Sequence, residues 1–300
     1  MQQPPDLQHH PLLLALQKAG LAAPEDFAPL SDRVRDRDDV YALKCARSGL
    51  IVLNRTDHIN AEVYEDRGDL SYWGPAERAK LLQSTLMDDA RRAQFIRPHV
   101  QGKSYLDIGT GLGGILDIVR PFCDEVHAVE PQAGARDILL KEGYATFKHI
   151  NDVPRQHYDV VSLFHVYEHV PDQIEFLASV REVLKPGGFL VVEVPHARDA
   201  LLSLYESQAF LNFTLWSQHL ILHTRESLRR FAEQAAFSDI QVRGIQRYSL
   251  ANHLHWLAKN KPGGHVVWDF LNDDALSGAY ERRLDQLDMT DTLLATARVP

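Results

Sequence analysis

The stretch that decides the fold is Leu106-Asp107-Ile108-Gly109-Thr110-Gly111-Leu112-Gly113-Gly114. An apolar strand over 104–108 runs directly into these glycines, and a helical pattern follows near 113–120. Glycine lets the backbone turn sharply and lets a ligand lie against main-chain atoms, where a Cβ would collide. The helix that follows offers unpaired N–H groups at its start. This strand, turn and helix together predict a ligand-binding loop.

Glu130 closes the next strand, where its carboxylate can accept hydrogen bonds from both hydroxyls of a ribose. By itself this arrangement does not identify the cofactor. Gly109, Gly111 and Gly114 also fit the G-x-G-x-x-G spacing of dinucleotide-binding folds, which expect an acidic residue about 20 positions later. A nicotinamide-dependent oxidoreductase is therefore one alternative. A non-catalytic module that keeps the fold as a scaffold is another.

Short apolar runs alternate with helical patterns through most of the chain. Seven runs are predicted as strands, at 104–108, 125–129, 145–150, 158–164, 188–194, 238–248 and 290–299. Helical patterns lie near 113–120, 134–142, 172–184 and 225–236. Near-continuous apolar strands that alternate with helices predict a parallel sheet covered on both faces. The predicted fold class is α/β, with a Rossmann-like, doubly wound sheet of seven mostly parallel strands.

Several segments, in this order, resemble the motifs of class I S-adenosylmethionine-dependent methyltransferases, and within them the group that methylates small molecules and sugars. The segments are 106–113, 126–131, 158–161 with 165–172, and 184–189. The first is similar to the family's glycine motif, and the second to its ribose-binding strand. The third looks like the fourth strand and the loop after it, and the last like the turn into the fifth strand. The resemblance covers 104–196 well and 210–248 more loosely.

The resemblance implies S-adenosylmethionine as the cofactor. In the family's pattern, Asp107 orients the methionine amino group through water, and Glu130 holds the ribose. Asp152, after the third strand, accepts a hydrogen bond from the adenine amino group. Phe164 and His165 line the pocket near the sulfonium. Three glycines let the methionine and ribose portions approach the backbone, namely Gly109, Gly111 and Gly113.

The run His165-Val166-Tyr167-Glu168-His169 leaves the fourth strand at the carboxyl edge, where open α/β sheets bind ligands. A hydroxyl nucleophile must lose its proton, and histidine is the natural base near neutral pH. The candidate catalytic residues are therefore His165 or His169 as the base and Glu168 as its orienting group. Further candidate bases lie beyond the fifth strand, at His196, His219 and His223. The predicted function is O-methylation of a sugar or glycan, in polysaccharide biosynthesis.

Composition limits the partners. The chain has 300 residues, and its net charge of −9 disfavours nucleic acid, which needs basic patches against phosphates. Two cysteines, Cys45 and Cys123, argue against a disulfide framework and a four-thiolate zinc site, and we expect no metal. No apolar run approaches the roughly 18 residues of a membrane span, and the start lacks the pattern of a targeting segment. We expect a cytoplasmic enzyme acting on a small-molecule or glycan acceptor.

The sequence predicts a small N-terminal module at 1–75 and a methyltransferase domain at 76–300. The pattern over 39–53 predicts a hairpin, and this segment resembles a degenerate version of a zinc ribbon that precedes some sugar methyltransferases. Only Cys45 of its thiolates remains, and Ser48 stands where a second would be, so this module is expected to hold no metal. Residues 249–288 are predicted as an insertion that either completes the acceptor site or forms a homodimer contact.

Aromatic side chains cluster in two places. One group precedes the sheet domain, at Tyr64, Tyr72 and Trp73, and the other follows the fifth strand, at Phe210, Phe213 and Trp216. Flat apolar faces can close over a cofactor or pack against a sugar ring, and the alternative is ordinary packing at a junction. The long connection after the fifth strand is the better placed to form an acceptor site.

Overall fold

The computed structural model describes residues 10–59 and 78–300. Tyr64, Tyr72 and Trp73 lie outside the described residues. Eleven strands form within the described ranges, at β1 Phe27–Pro29, β2 Ala42–Cys45, β3 Ile51–Leu53, β4 Ser104–Ile108, β5 Glu125–Val129, β6 Ala145–Phe147, β7 Tyr158–Phe164, β8 Leu184–Pro195, β9 Ile221–Leu222, β10 Ser238–Ile245 and β11 Thr292–Arg298.

Seven of these strands form one sheet, in the order β6-β5-β4-β7-β8-β11-β10. The strands from β6 to β8 pair in parallel, while β11 is antiparallel to both of its neighbours. Every residue of β4 is buried, which is typical of a strand covered on both faces. The predicted α/β fold with seven mostly parallel strands is confirmed.

Helices cover both faces of this sheet. Their bounds are α1 Pro11–Lys18, α2 Arg78–Val100, α3 Gly114–Val119, α4 Ala133–Lys141, α5 Gln173–Val183, α6 Ala200–Ser203, α7 Gln208–Thr214, α8 Arg225–Gln234, α9 Leu250–Lys259, α10 Gly264–Val267 and α11 Asp274–Gln286. Side chains that alternate along β4 enter two separate cores. Leu106 packs in the core that contains Leu177 of α5, and Tyr105 packs in the core that contains Ile96 of α2.

The helix α2 is absent from the sequence prediction. Its centre carries charged residues, Asp88 to Arg92, and its apolar positions are too few to give a clear helical pattern. Ala93, Ile96 and Val100 nevertheless bury their side chains against the sheet, so tertiary packing stabilises this helix. Its position matters because it brings the charged residues to the carboxyl edge of the strands.

The predicted hairpin over 39–53 is present as β2 and β3, with Gly49 at φ +78° in the turn. A second sheet has the order β1-β2-β3-β9, so a strand from the connection after β8 completes the N-terminal sheet. The Ser48 N–H donates to the sulfur of Cys45 at 3.4 Å, and this cysteine is buried. The boundary at 75/76 remains a prediction, although the two parts share one continuous core.

Element boundaries differ from the predictions in a few places. β6 ends at Phe147, because a short 3₁₀ turn over Ile150–Asp152 replaces the predicted end of that strand. β8 begins at Leu184, which pairs with Tyr158. The segment 249–288 contains the helices α9, α10 and α11. Within the described part of the chain, no helix has the length and apolar character that crossing a membrane requires.

Candidate active site

A cleft of about 1250 Å³ lies at the carboxyl edge of the main sheet. Parallel strands that end at the same edge bring their following loops together there. The glycine loop after β4 and the segments after β5, β6 and β7 all contribute to the walls. The remaining walls come from α2, from the connection that contains α7, and from the segment after β10.

The glycine loop depends on left-handed backbone at Gly109 and Gly111, with φ of +71° and +58°. A Cβ on Gly109 would also lie 2.3 Å from Cγ2 of Val166, so the loops after β4 and β7 pack too closely for any side chain. Both glycines line the cleft. Their predicted place beside the ligand is therefore consistent with the geometry.

Gly113 has a different surrounding. Its φ is +78°, and a Cβ there would lie 2.6 Å from Cδ2 of Leu139 on α4. Gly113 does not line the cleft, whereas its neighbours Leu112 and Gly114 do. Packing between α3 and α4 requires the small residue at this position, and the ligand contact of Gly113 stays a prediction.

Glu130 lies at the end of β5 and is buried. Its two carboxylate oxygens accept hydrogen bonds from the Gly111 N–H at 2.8 Å and the Gln132 N–H at 2.9 Å. Burial raises the pKa of Glu130 to about 7. Beside it, the side-chain oxygen of Gln132 is buried without a hydrogen-bond partner among the described residues. An unpartnered acceptor next to a carboxylate fits a ligand that donates hydrogen bonds, such as a ribose.

Asp107 lies at the base of the cleft, fully buried beneath the glycine loop. The hydroxyl of Ser162 donates to its carboxylate, and Ser162 is in turn 2.6 Å from the hydroxyl of Tyr105. Burial raises the pKa of Asp107 to about 6. This hydrogen-bonded chain fixes the carboxylate toward the cleft, where it can accept from an amino group or a water.

Asp152 does not line the cleft. Its carboxylate accepts a hydrogen bond from the His149 N–H at 3.0 Å, and so caps the 3₁₀ turn after β6. The residues of this turn that do line the cleft are Ile150 and Asn151. The contact of Asp152 with an adenine amino group stays a prediction, and the neighbouring polar side chain that lines the cleft is Asn151.

Phe164 and His165 both line the cleft at the end of β7. The guanidinium of Arg92 lies 5.0 Å from the centre of the Phe164 ring. His165 has left-handed backbone at φ +55°, and its ring is held on both sides. Nδ1 lies 3.1 Å from Oε1 of Glu168, and Nη1 of Arg247 donates to Nε2 at 2.9 Å.

Glu168 is fully buried. Burial alone would raise its pKa, but the hydrogen bond from His165 and the nearby histidines lower the pKa below its ordinary value. Oε1 is 3.1 Å from Nδ1 of His165 and 4.0 Å from Nε2 of His169. Glu168 therefore orients His165 and lies too far from His169 for a hydrogen bond.

His169 is oriented by the main chain. Its Nδ1 donates to the carbonyl oxygen of Gln218 at 2.8 Å, and because a carbonyl can only accept, the neutral ring carries its lone pair on Nε2. Burial lowers the pKa of His169, which favours this neutral form. His219 adjoins it, with ring centres 5.1 Å apart, and both rings line the cleft.

The other candidate bases lie elsewhere. His196 bonds through Nδ1 to the Thr290 carbonyl, and His223 bonds to the hydroxyl of Ser227 while its ring stacks on Tyr167. Neither histidine lines the cleft, and both are buried. Burial lowers their pKa values, to about 4 and about 3 respectively. These side chains serve packing between elements, so His165, His169 and His219 are the candidates that remain.

Sequence reasoning missed a charged cluster above β7 and β8. Glu193 has no exposed surface, and its carboxylate accepts hydrogen bonds from Arg91 and Arg92 of α2 at 2.7–3.0 Å. Burial would raise the pKa of Glu193, but the His165 ring, 3.5 Å away, and these arginines hold it well below its ordinary value. Arg247 joins the cluster through a double contact with Asp88. A lone glutamate inside the apolar β8 was the available signal.

Aromatic rings form a further part of the cleft wall. Phe213 and Trp216 line the cleft, and the guanidinium of Arg35 lies over both rings, at 5.1 and 5.0 Å from their centres. Phe210 packs against Trp256, outside this wall. Tyr248, which follows β10, completes the aromatic surface. This half of the cleft is flat, apolar and cationic at its rim.

Comparison with known proteins agrees with this geometry. A family model described as a methyltransferase domain matches residues 79–242. The chain belongs to this methyltransferase family. The ubiquinone biosynthesis O-methyltransferase of Aliivibrio fischeri (strain MJ11) is 34% identical over 184 residues, which cover 55% of this chain and 76% of the relative. That of Bradyrhizobium sp. (strain ORS 278) is 30% identical over 131 residues, covering 39% and 52%. For this second relative, the chain spans about half of its length.

Solved structures agree on the fold of the methyltransferase. A SAM-dependent methyltransferase from Archaeoglobus fulgidus superposes with a TM-score of 0.50 at 18% identity, covering 71% of this chain and 93% of that one. The predicted membership of the class I enzymes and the predicted cofactor, S-adenosylmethionine, are confirmed. The nicotinamide alternative is set aside, because the family whose model matches the glycine loop and Glu130 is a methyltransferase domain.

The residues that would hold S-adenosylmethionine in this methyltransferase line one half of the cleft. Glu130 and Asp107, which the sequence assigned to the ribose and the methionine amino group, line the cleft together with Gln132 and Asn151. These placements remain proposals. A second group of side chains in the cleft could hold a cation, because Glu168, His169 and His219 each offer one ligand atom within 4.8 Å of the others.

Proposed function

We propose that this methyltransferase transfers a methyl group to a phenolic hydroxyl of a small-molecule acceptor, with His169 as the general base. The observation that carries this proposal is His169, which lines the cleft and whose Nδ1 contact with the Gln218 carbonyl selects the neutral ring with its lone pair on Nε2. A deprotonated hydroxyl oxygen is the nucleophile that such an arrangement produces.

S-adenosylmethionine supplies an activated methyl group when it is bound. The protein has to align the acceptor, exclude water and remove one proton. His169 Nε2 takes the hydroxyl proton, and the Gln218 carbonyl, which already accepts a hydrogen bond from Nδ1–H, stabilises the imidazolium that forms. His165 is a weaker candidate, because Nε2 already accepts from Arg247 and Nδ1 faces Glu168.

A phenol suits this base better than a sugar alcohol. A phenolic hydroxyl, with an ordinary pKa near 10 as in tyrosine, loses its proton to an imidazole far more easily than an alkyl alcohol does. The flat wall of Phe213 and Trp216 favours a ring that can stack. The relatives named for ubiquinone biosynthesis also support an aromatic acceptor, and their names give no support to the sugar or glycan acceptor that we expected from the sequence.

The test uses the full chain with labelled S-adenosylmethionine and three acceptor probes, namely 3,4-dihydroxybenzoate, methyl glucoside and ethanolamine. We expect label on a phenolic oxygen. His169→Gln should lower turnover by about 10²–10⁴-fold and leave S-adenosylhomocysteine affinity within about twofold. His99→Gln, at the end of α2 and outside the cleft, is the matched control. Label on the glucoside or on nitrogen would reject the phenolic acceptor, and a loss of only a few-fold in His169→Gln would reject this base.

A further inference from the structure

Three potential metal ligands meet at the amino edge of the main sheet, at the opposite ends of the strands from the cleft. Glu125 and His127 lie two residues apart on β5, so their side chains share one face of the strand. His157 comes directly before β7, which begins at the same edge. Glu125 and Glu130 are five residues apart on an extended strand, about 17 Å, so this group is separate from the proposed catalytic site.

The side chains converge on one point. Nε2 of His157 lies 2.6 Å from Oε2 of Glu125, and Nε2 of His127 lies 3.3 Å from Oε1 of the same carboxylate. Each residue offers one ligand atom, and the three atoms lie within 4.8 Å of one another. Tetrahedral zinc with bonds of about 2.0–2.1 Å requires its ligand atoms about 3.3 Å apart. Small side-chain rotations therefore suffice to form the site.

The surroundings hold the ligands in place. Nδ1 of His127 is 2.7 Å from the hydroxyl of Tyr158, a partner that fixes the ring and directs Nε2 toward Glu125. The backbone of His157 is anchored at both ends, because its N–H donates to the Val183 carbonyl and its carbonyl accepts from the hydroxyl of Ser104, both at 2.9 Å. Supporting contacts of this kind reduce the ordering that a metal would have to impose.

We propose that Glu125, His127 and His157 bind one zinc ion, with water as the fourth ligand. Two imidazoles and one carboxylate form a donor set that suits zinc and disfavours magnesium or calcium, which prefer oxygen. The glutamate and His157 are 36% and 39% exposed, so an ion can enter from solvent. The bound ion links the starts of β5 and β7, and it stabilises the folded state because the unfolded chain does not hold these ligands together.

This proposal revises the expectation of a protein without metal, which rested on the scarcity of cysteines. The spacing in sequence conceals the site, since His157 is 30 residues from His127 and meets it only through the pairing of β4 with β5 and β7. The alternative is that the three side chains form only a hydrogen-bonded cluster. Metal binding distinguishes the two.

The experiment uses the full chain, stripped with a chelator and dialysed, and titrated with zinc chloride in a calorimeter. We expect one zinc per chain with micromolar affinity, at least tenfold weaker binding in Glu125→Gln and in His157→Gln, and a zinc-dependent rise in Tm that both variants lose. His219→Gln removes a ligand from the group in the cleft, and His265→Gln replaces a histidine outside both groups. These two variants should bind zinc at the amino edge as the wild type does.

Two results would overturn the proposal. One is a stripped wild-type chain that takes up no zinc at 100 µM. The other is zinc binding that survives in Glu125→Gln and His157→Gln but disappears in His219→Gln, which would place the metal in the cleft. Both glutamine variants keep hydrogen-bonding side chains at half-exposed positions, and their unliganded Tm values report whether they fold.

Discussion

Replacing Glu130 with alanine should weaken the binding of S-adenosylhomocysteine about 10- to 100-fold. The carboxylate accepts the N–H groups of Gly111 and Gln132 at 2.8 and 2.9 Å and is buried at the end of β5. Removing it deletes the acceptor expected to hold the ribose and leaves two N–H groups without their acceptor. A charge-assisted hydrogen bond contributes about 1.5–3 kcal/mol, and about 1.4 kcal/mol corresponds to a factor of ten.

The pKa of Glu130 adds a second, independent readout. Burial raises this pKa to about 7, so the carboxylate takes up a proton as the pH falls through neutrality. A protonated carboxyl loses one acceptor oxygen. The affinity of the wild type for S-adenosylhomocysteine should therefore decrease from pH 8 to pH 6. Glu130→Ala should lose the part of this decrease near pH 7 and keep the part near pH 6, because the pKa of Asp107 in the same cleft is about 6.

Calorimetry at pH 8, 7 and 6 measures both effects, with exposed Glu175→Ala on α5 as the control for losing a glutamate. Binding by Glu130→Ala within twofold of the wild type would refute the ribose role. An affinity that rises as the pH falls would refute the reasoning about its ionisation, even if the alanine variant binds weakly.

Two predictions concern stability. Gly113→Ala should destabilise the protein by about 2–3 kcal/mol in urea unfolding, because it adds the cost of left-handed backbone to a 2.6 Å contact with Leu139. Gly102→Ala, at φ +65° with open space around it, should cost only about 1 kcal/mol. Equal losses of stability in the two variants would show that α4 moves to accommodate the added methyl group. The pKa of His223 is about 3 in the folded protein, so this side chain binds a proton near pH 6 only when the chain is unfolded. Between pH 7 and 5.5 the free energy of unfolding should therefore fall by about 1 kcal/mol more in the wild type than in His223→Gln. Equal falls would contradict the buried, neutral state of His223.

Much of the sheet could be predicted from local sequence. β4 and β7 are short apolar runs bounded by turn residues, and the glycines after β4 force the turn that opens α3. The end of each strand then fixes the location of Asp107 and Glu130 without any knowledge of packing. The helix α2 could not be predicted in this way, because its stability comes from contacts with the sheet that its own charged sequence does not reveal.

The charged residues that were missed share one property, which is that their partners are distant in sequence. Glu193 on β8 meets Arg91 and Arg92 about 100 positions earlier. Arg247, after β10, meets Asp88 across 159 positions. Local patterns contain no record of such pairs, since any arginine on a helix surface has the same sequence signature as one that bonds a buried carboxylate.

The same limit explains why the sequence left two histidines open as the base. His165 and His169 are four residues apart on one loop, and both lie near Glu168, so the sequence gives no preference for either as the base. What separates them is the partner of each ring. Arg247, 82 positions away, donates to Nε2 of His165, while the Gln218 carbonyl, 49 positions from His169, takes the Nδ1 proton of that ring. One ring nitrogen of His165 is engaged by a cation that cannot accept a proton, whereas the Gln218 carbonyl keeps the lone pair of the neutral His169 ring on Nε2. The choice between them is therefore made by the fold, through two contacts that only the assembled sheet can bring together.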